Sequence, residues 1–410
     1  MNHAINKNQY IRTMPQLAKR ITELSESATI KMAQLSRELI AKGIDIISLS
    51  LGEPDFEPPQ HIQSAAKRAI DDGYSHYPPV QGYADVRAVI CEKFRRDQKF
   101  KVEPNQIIIS TGAKQSLANL MLVLVEEGDE VIMPSPYWVS YEAQIELAEG
   151  TLVKINASID NDFKITAAQL EAAITPKTKA FLFSSPCNPT GSVYSKKELE
   201  SLKDVFVKHP HVAIISDEIY EHINFIGKHE SISQFTELHD RLVIVNGLSK
   251  GFAMTGWRLG YIAAPKYIAD ACNKMQGQFT SGANCIAQRA CIAALTGSME
   301  PTNKMRAEFL KRRDLAVKML REIPNLKVNE PEGAFYIFPD CSGLFGKKHG
   351  DTVIENADDL CTYLINEAHV SVVTGRAFGA DNNFRLSYAT ATEKLVEAIE
   401  RMKTAIEKLS

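Results

Sequence analysis

The sequence carries no excess of charge of either sign, because 47 Lys and Arg residues stand against 50 Asp and Glu residues for a formal net charge of −3. A surface without a large basic field offers little attraction to nucleic acid or to an anionic membrane. Long hydrophobic runs are missing as well. The most apolar stretch, around Leu117 to Val125, is far shorter than the ~20 residues that span a bilayer. We therefore expect neither nucleic acid nor a membrane as a partner.

Cysteine is sparse: the seven cysteines include no Cys-x-x-Cys pair, and their number is odd. This argues against a disulfide framework and against a thiolate zinc site, and it is typical of a reducing compartment. The N-terminal stretch Met1–Arg20 is polar and basic and lacks the apolar segment of a secretory signal. We expect a cytoplasmic protein.

Between Asn105 and Ala264 short apolar runs alternate with longer amphipathic ones, which is the pattern of an α/β layer fold. Helical spacing is clearest at Lys114–Val125 and at Lys196–Lys208, where Ser195 is a suitable N-cap. The apolar runs that predict strands are Ile107–Ile109, Glu130–Met133, Ala180–Phe183, Val212–Ile215, Leu242–Val245 and Leu259–Ala263.

The two ends of the chain differ from this central part. Ser25–Ala41, Arg306–Arg321 and Glu393–Lys408 are predicted helices, and the last two flank short predicted strands at Ala334–Phe338 and Asn383–Tyr388. A chain of 410 residues also exceeds the usual size of a single core. We predict an α/β fold in which a large central domain (51–300) holds a mostly parallel sheet flanked by helices. A smaller α+β domain is formed by both termini (1–50 and 301–410).

Small, hydroxyl-bearing and ionisable residues follow four of the predicted strands. Ligands of an open α/β sheet bind beyond the carboxyl ends of its strands, so these residues predict a site at one edge of the sheet. The four segments are Ser-Thr-Gly-Ala-Lys (110–114), Ser-Ser-Pro-Cys-Asn-Pro-Thr-Gly (184–191), Ser-Asp-Glu-Ile-Tyr (216–220) and Asn-Gly-Leu-Ser-Lys (246–250).

The segment 111–114 opens a helix, so its backbone N–H groups and the helix dipole could hold an anion. An ordinary strand-to-helix turn explains the same residues, and the segment is not a P-loop. Asp217 ends an apolar run, and a buried carboxylate needs donors or a cation. Its partner is either a structural Arg or Lys or the protonated nitrogen of a heterocycle, which the carboxylate would keep charged.

Lys250 is either a solvated loop residue or an amine in the pocket. In the second case desolvation and the cations Arg258 and Lys114 would lower its pKa and make it a nucleophile toward a carbonyl. Arg258 could supply a fixed cation to a phosphate.

Two other interpretations concern nearby residues. The sequence Asp-Glu-x-x-Glu-His (217–222) could be a metal cluster, but its spacing matches no helical zinc motif and we predict no metal. Tyr74, Tyr77 and Tyr83, with Pro78, Pro79 and Gly82, form a plain structured loop unless they face a ligand.

Four motifs in order give a resemblance to the class I and II aminotransferases. They are Ser-Pro-x-Asn-Pro-Thr-Gly (185–191), Ser-Asp-Glu-Ile-Tyr (216–220), Leu-Ser-Lys (248–250) and Met-Thr-Gly-Trp-Arg-Leu-Gly-Tyr (254–261). The bacterial aspartate aminotransferase subgroup is most similar, as in Ser-Leu-Gly-Glu-Pro-Asp-Phe (50–56), Ser-Pro-Tyr-Trp (135–138) and Phe-Arg-Leu-Ser-Tyr (384–388). The resemblance runs from about Ser25 to the end.

The resemblance implies that the cofactor is pyridoxal 5'-phosphate. Lys250 would hold it as a Schiff base and carry the proton, and Asp217 would pair with the ring nitrogen. Asn188 and Tyr220 would hydrogen-bond the phenolic oxygen, and Trp138 would stack on the ring.

The same resemblance places the phosphate at Gly112, Ala113, Lys114, Ser249 and Arg258. The substrate α-carboxylate would meet Arg385 beside the Gly52 backbone, with Trp138 and Asn188 adjoining the substrate. Tyr77 would reach the phosphate of a neighbouring subunit, which implies a homodimer with shared active sites.

The implied reaction is ping-pong transamination between an L-amino acid and a 2-oxo acid, with aspartate and 2-oxoglutarate as the best-guess pair giving oxaloacetate and glutamate. An aromatic or prephenate aminotransferase shares every cofactor residue, and a β-lyase or a non-catalytic regulator are further alternatives. Gly247 stands where some relatives carry a phosphate-binding serine. No second arginine for a substrate side-chain carboxylate is identified, although Met14–Leu17, Gln278–Asn284 and Lys114–Asn119 are candidates for the side-chain pocket.

Overall fold

The computed structural model describes residues 15–410. The strands, in chain order, are β1 (Ile47–Ser48), β2 (Ile107–Ser110), β3 (Glu130–Ser135), β4 (Thr151–Asn156), β5 (Thr178–Ser184), β6 (Ala213–Asp217), β7 (Leu242–Gly247), β8 (Gly260–Ala263), β9 (Tyr336–Ile337), β10 (Lys348–His349), β11 (Thr352–Val353), β12 (Val370–Ser371), β13 (Val373–Thr374) and β14 (Phe384–Ser387). The helices are α1 (Lys19–Thr22), α2 (Ala28–Ala41), α3 (Gln60–Asp71), α4 (Ala84–Gln98), α5 (Ala113–Leu124), α6 (Ser140–Leu147), α7 (Ala167–Ala173), α8 (Lys196–Lys208), α9 (Lys266–Phe279), α10 (Cys285–Thr296), α11 (Glu300–Arg321), α12 (Ala357–Tyr363) and α13 (Thr392–Ile406).

The central sheet has the strand order β2-β8-β7-β6-β5-β3-β4. Neighbouring strands from β7 to β4 are parallel, while β8 is antiparallel to both β2 and β7. The carboxyl ends of β2, β5, β6 and β7 therefore meet at one edge. The predicted mostly parallel sheet is confirmed.

Both faces of this sheet are buried, which explains why its strands appear as continuous apolar runs. Along β2, Ile107 and Ile109 pack into one core while Ile108 packs into the core on the opposite face. Strand β4 was not predicted from the sequence. It lies at the sheet edge and only Ile155 is buried, so it has no apolar run.

A further core joins the N-terminal segment to the C-terminal part of the chain. Ile47 and Leu49 pack in one cluster with Phe309, Phe335 and Leu386, and β1 pairs in parallel with β12 through Ile47 and Val370. Through these contacts the N-terminal segment and the C-terminal part of the chain form one α+β unit. The boundaries 1–50, 51–300 and 301–410 stay a prediction, and residues 1–14 lie outside the described residues.

Helix ends follow local capping chemistry. The predicted start of α8 is confirmed, because Ser195 accepts from the Glu198 backbone N–H while the Glu198 side chain accepts from the Ser195 N–H. Helix α11 begins at Glu300, earlier than the predicted Arg306, because Pro301 fits the first helical turn. Within residues 15–410 no helix is both long enough and apolar enough to span a membrane.

Candidate active site

A cavity of about 350 Å³ lies at the strand ends where the sequence predicts a site. The large unit, which is the part of the chain around the central sheet, contributes Ala113, Lys114, Trp138, Asn188, Asp217 and Tyr220. It also contributes Ser249, Lys250 and Arg258 from the segment after β7. The α+β unit contributes Gly52 and Arg385. Gly112 lies beside the cavity against Arg258, whereas Tyr77 does not line it and is 96% exposed on the loop before α4.

Asp217 is buried at the end of β6, with 4% of its surface exposed. Its Oδ2 accepts from the Tyr141 hydroxyl (2.7 Å) and its Oδ1 accepts from the Ile219 N–H (3.1 Å). Within residues 15–410 no Arg or Lys forms an ion pair with it, so the structural-cation interpretation finds no support. Burial raises the pKa of Asp217 to about 6, because the charged form has lost its hydration and the Tyr141 and Ile219 donors, with the charge of Lys250, offset that loss only in part.

Lys250 follows β7 and points its amine into the same cavity, where Nζ donates to the Gly52 carbonyl oxygen. Desolvation, then the positive charges of Arg385 and Arg258, lower the pKa of this amine to about 8. The sequence predicted this direction but named Lys114 among the causes, whereas Arg385 is the leading neighbouring cation. The amine is partly deprotonated near neutral pH and can attack a carbonyl.

The start of α5 is held close to Arg258 by two glycines. A side chain at Gly112, whose φ is +83°, would meet Arg258 Nη2 at 2.4 Å. A side chain at Gly260 would meet the Ala113 nitrogen at 2.2 Å, so β8 passes directly against the first turn of α5. The first N–H groups of a helix lack intrahelical acceptors. Together with the Arg258 guanidinium they form a cradle suited to a phosphate.

Arg385 is the cation on the opposite wall, and only 2% of it is exposed. Its Nη1 donates to Asn188 Oδ1 (3.0 Å) and its Nη2 donates to the Ser50 carbonyl oxygen (2.6 Å), while its buried Nε has no partner among residues 15–410. These contacts join the large unit, the segment 50–52 and β14 at one point. A buried guanidinium without a carboxylate partner is suited to bind the carboxylate of a ligand.

Two tyrosines of the cavity were not predicted from the sequence. Tyr141 holds Asp217, and the Tyr336 hydroxyl shares a hydrogen bond with that of Tyr220 (2.8 Å). Tyr336 also packs against Gly52, since a side chain there would meet its hydroxyl oxygen at 2.3 Å. Neither tyrosine belongs to one of the motifs above. Tyr336 is a hydroxyl-bearing residue in an otherwise apolar run (334–338), whereas Tyr141 is flanked by polar residues and gives no such local signal.

One face of α2 also lines the cavity and was not predicted. Thr29, Ile30, Ala33 and Arg37 recur at helical spacing along this face. Of the candidate side-chain segments, 114–119 supplies Lys114 and Leu117, while neither 15–17 nor 278–284 contributes a lining residue. Met14 lies outside the described residues.

Packing explains the glycine at position 247. A side chain there would meet the Leu259 carbonyl oxygen at 2.8 Å and the Gly260 Cα at 2.9 Å. The approach of β8 therefore leaves no room for a serine. A phosphate at this end of the cavity would meet Arg258, Ser249 and the start of α5 instead.

Glu218 and Glu221 directly follow Asp217 and Tyr220 in the sequence. Both acidic side chains face away from the cavity and belong to a buried polar network. Lys93 Nζ donates to Glu221 Oε2 (2.6 Å), and Gln98 Nε2 donates to both Glu218 (2.8 Å) and Glu221 (3.1 Å). Burial alone would raise the pKa of Glu221, but Lys93 first, and then His222 and His229, outweigh it and lower the pKa to about 2. Helix α4 thus anchors the turn that presents Asp217 and Tyr220.

The tyrosine loop is held in place by a cation. The Arg289 guanidinium stacks on Tyr74 (4.9 Å) and Tyr83 (4.5 Å) and binds Asp85 (2.6 Å). This contact fixes the loop that carries Tyr77. As for the acidic segment 217–222, no group of three or more His, Cys, Asp and Glu side chains within residues 15–410 is placed to hold a metal ion.

The chain belongs to the class I and II aminotransferases, since the family profile described as "Aminotransferase class I and II" matches residues 44–402. It is a transaminase of fold type I. The aspartate/prephenate aminotransferase of Cereibacter sphaeroides is 45% identical over 94% of this chain and 98% of its own length. The aspartate aminotransferase of Bacillus subtilis is 44% identical over 96% of this chain and 100% of its own. The crystal structure of the aspartate aminotransferase from Rhizobium meliloti superposes with a TM-score of 0.94 at 40% identity, covering 97% of this chain and 100% of that one.

The buried network gives a stability prediction. Replacing Lys93 by Met leaves the Glu221 carboxylate buried without its cation, which we expect to lower the free energy of unfolding by roughly 3–5 kcal/mol at pH 7. The folded-state pKa of Glu221 lies below its ordinary value of 4.5. The stabilisation is therefore present above that value and is lost as the pH falls toward about 2.

Urea denaturation measures this loss. Lys266→Met is the matched control, because Lys266 pairs with Asp270 on the surface with 61% and 59% of the two side chains exposed, and its loss should cost under about 1 kcal/mol. Equal effects of the two substitutions would contradict the anchoring role of Lys93.

Proposed function

We propose that this transaminase uses pyridoxal 5'-phosphate bound to Lys250 and takes aspartate as amino donor and 2-oxoglutarate as acceptor. One observation carries the cofactor assignment. Asp217, a buried carboxylate that forms no ion pair with another residue of 15–410, lines the same cavity as Lys250, an amine with a depressed pKa. The names of the relatives support the substrate assignment.

The residues present fit this cofactor at three points. A protonated ring nitrogen would give the Asp217 carboxylate the cation that it lacks. The cradle of Arg258, Ser249 and the start of α5 suits a phosphate, and the Lys250 amine suits an aldehyde. The cofactor, when bound, supplies that aldehyde and an electron-withdrawing ring that takes up the electron pair of the substrate Cα–H bond.

The side chains of this protein then perform the remaining tasks. Asp217 keeps the ring nitrogen protonated, and Tyr141 orients that carboxylate. Lys250 would move the proton released from the substrate Cα, which its pKa of about 8 allows near neutral pH. Trp138 covers one side of the cavity and limits the entry of water.

The substrate is oriented by its carboxylate. Arg385 would bind the α-carboxylate through its two nitrogens, with Asn188 and the Gly52 backbone beside it. Fixing the carboxylate and the amino group together sets the direction of the Cα–H bond relative to Lys250, which is catalysis by positioning. Tyr220 and Asn188 would donate to the phenolic oxygen of the cofactor.

We further propose a homodimer with active sites shared between subunits. Tyr77, although 96% exposed, stands on a loop fastened by Arg289. An exposed tyrosine on a rigid loop is well placed to complete the active site of a neighbouring subunit. A cytoplasmic location is supported by the seven cysteines, all of which are free thiols.

Replacing Lys250 by Ala should abolish multiple turnover, because no other amine is proposed to bind the cofactor or to move the Cα proton. The measurement is steady-state formation of glutamate from aspartate and 2-oxoglutarate. Borohydride reduction of the wild-type protein followed by peptide mapping should label Lys250. Full turnover by the variant, or a label elsewhere, would refute the assignment.

The pKa of Lys250 predicts how cofactor uptake depends on pH. Only the neutral amine attacks the aldehyde, so the uptake rate in cofactor-free protein should rise with pH and level off above about 8. A lysine with the ordinary value of 10.5 would give a rate that keeps rising to that pH. Absorbance of the bound cofactor follows the reaction, and a continued rise beyond about pH 9.5 would contradict the depressed pKa.

A panel of amino donors distinguishes the proposed substrates. We expect kcat/KM for aspartate to exceed that for phenylalanine and tyrosine by at least about tenfold, a difference of ~1.4 kcal/mol. Prephenate as the acceptor tests the activity that the name of the Cereibacter relative includes. Ammonia release without any oxo acid would indicate a β-lyase instead.

A further inference from the structure

The turn that carries Lys250 (residues 249–252) is confined on one side by a histidine ring. Gly251 follows Lys250 and is buried. A side chain at Gly251 would meet His222 Cδ2 at 2.8 Å and His222 Cβ at 2.9 Å, so the backbone lies directly against the imidazole. The same ring packs edge-on against Phe252, with 5.3 Å between the ring centroids. The turn therefore cannot shift toward His222.

A helix holds the same glycine through a hydrogen bond. Thr302, in the first turn of α11, donates its hydroxyl to the Gly251 carbonyl oxygen (2.9 Å). Both groups are buried, and only 2% of Thr302 is exposed. Within residues 15–410 no other group donates to this carbonyl. Because an unpaired buried carbonyl is costly, the Thr302 hydroxyl holds the turn against α11.

The same helix also approaches the amine of Lys250. Phe309 lies about two turns further along α11. It belongs to the core of the α+β unit, and its ring centroid is 5.2 Å from that of Phe335. The Phe335 ring in turn lies 5.8 Å from Lys250 Nζ. Helix α11 therefore contacts the Lys250 turn directly, and through one aromatic ring it limits the space around the amine.

Helix α11 connects this turn to the strand that carries Arg385. Phe309 packs in one cluster with Phe384 and Leu386, the two neighbours of Arg385 in β14. A hydrogen-bonded helix keeps a constant rise along its axis, so its length over two turns varies little. The position of the Lys250 turn relative to Arg385 is therefore set by α11, with Thr302 at one end and Phe309 at the other.

We propose that Thr302 is a positioning residue, which holds the Lys250 turn in register with Arg385 so that the amine can reach the Cα proton of the substrate. This inference rests on the proposed function, which makes Lys250 the proton carrier and Arg385 the group that binds the α-carboxylate. Thr302 itself does not line the cavity. Its hydroxyl acts through the main chain of Gly251, so its loss should affect proton transfer more than substrate binding.

Replacing Thr302 by Val removes the hydroxyl and keeps the branched shape of the side chain. We expect kcat with aspartate and 2-oxoglutarate to fall about tenfold while KM changes less than about twofold, because only the placement of the proton carrier is lost. Thr302→Ser keeps the hydroxyl and should retain kcat within about threefold of the wild-type value. If the valine variant does not fold, Thr302→Ala and Thr302→Ser differ only in the hydroxyl and give the same comparison.

Cofactor uptake by cofactor-free protein measures the Lys250 amine without turnover. The charged groups around this amine are Arg385, Glu53, Arg258 and Asp217. An amine that leaves this buried position regains water, which raises its pKa. In Thr302→Val the uptake rate should therefore level off at a pH above the wild-type value of about 8, toward the ordinary pKa of 10.5. Thr302→Ser should keep the wild-type profile.

Thr178→Val is the matched control. Thr178 is also 2% exposed, and its hydroxyl oxygen accepts from the Thr175 backbone N–H (2.8 Å). It begins β5, at the opposite end of the strand from Ser184, which lines the cavity. The substitution again removes a buried hydroxyl bound to the main chain. It should therefore lower the midpoint of thermal unfolding as Thr302→Val does, yet leave kcat and the uptake profile unchanged.

Four results overturn the proposal. They are a wild-type kcat in Thr302→Val, an equal loss of kcat in the serine variant, a loss of the same size in Thr178→Val, and an effect on KM alone. A wild-type pH profile of uptake in Thr302→Val also overturns it. Failure of the proposed function appears separately, as retained turnover in Lys250→Ala or labelling of another lysine.

Discussion

The buried carboxylate of Asp217 is the constraint on which the site depends. Removing a carboxylate from water is costly unless a cation or several donors compensate it. Here two donors, the Tyr141 hydroxyl and the Ile219 N–H, compensate it only in part, and burial still raises its pKa to about 6. The negative charge at the end of β6 is therefore not fully compensated by the groups around it. A cationic ring nitrogen of the proposed cofactor would supply the missing positive charge, so cofactor binding and the charged state of Asp217 would stabilise each other.

The rest of the sheet keeps this carboxylate in place. Asp217 and Tyr220 face the cavity, while Glu218 and Glu221 of the same turn bind Lys93 and Gln98 of α4 on the other side. Residues three positions apart share a direction here, so one short turn both lines the cavity and binds α4. The buried ion pair costs desolvation free energy, but its hydrogen bond fastens the turn directly to α4. Preorganised geometry of this kind reduces the reorganisation that the reaction needs.

Much of this organisation could be predicted from the sequence because its determinants are local. The apolar runs marked the inner strands, Ser195 and Glu198 marked the start of α8, and the strand-end rule located the cavity. The residues that were missed depend on contacts across long stretches of chain. Tyr141 lies 76 residues from its partner Asp217, and Tyr336 lies 116 residues from Tyr220. Arg37 resembles any solvated residue of an amphipathic helix, and only the docking of α2 through Ser36 brings it to the cavity.

The cations of the cavity differ in how firmly they are held, and Arg385, which is proposed to orient the substrate, is held most firmly. Arg385 is buried and fixed by Asn188 and the Ser50 carbonyl, as a group that must orient the reacting bond should be. Arg37, by contrast, is exposed on α2. Aspartate and 2-oxoglutarate differ by one methylene between their carboxylates. Both carry an α-carboxylate, so one fixed guanidinium would orient each of them at a single active site, where the donor and the acceptor of a transaminase bind in turn.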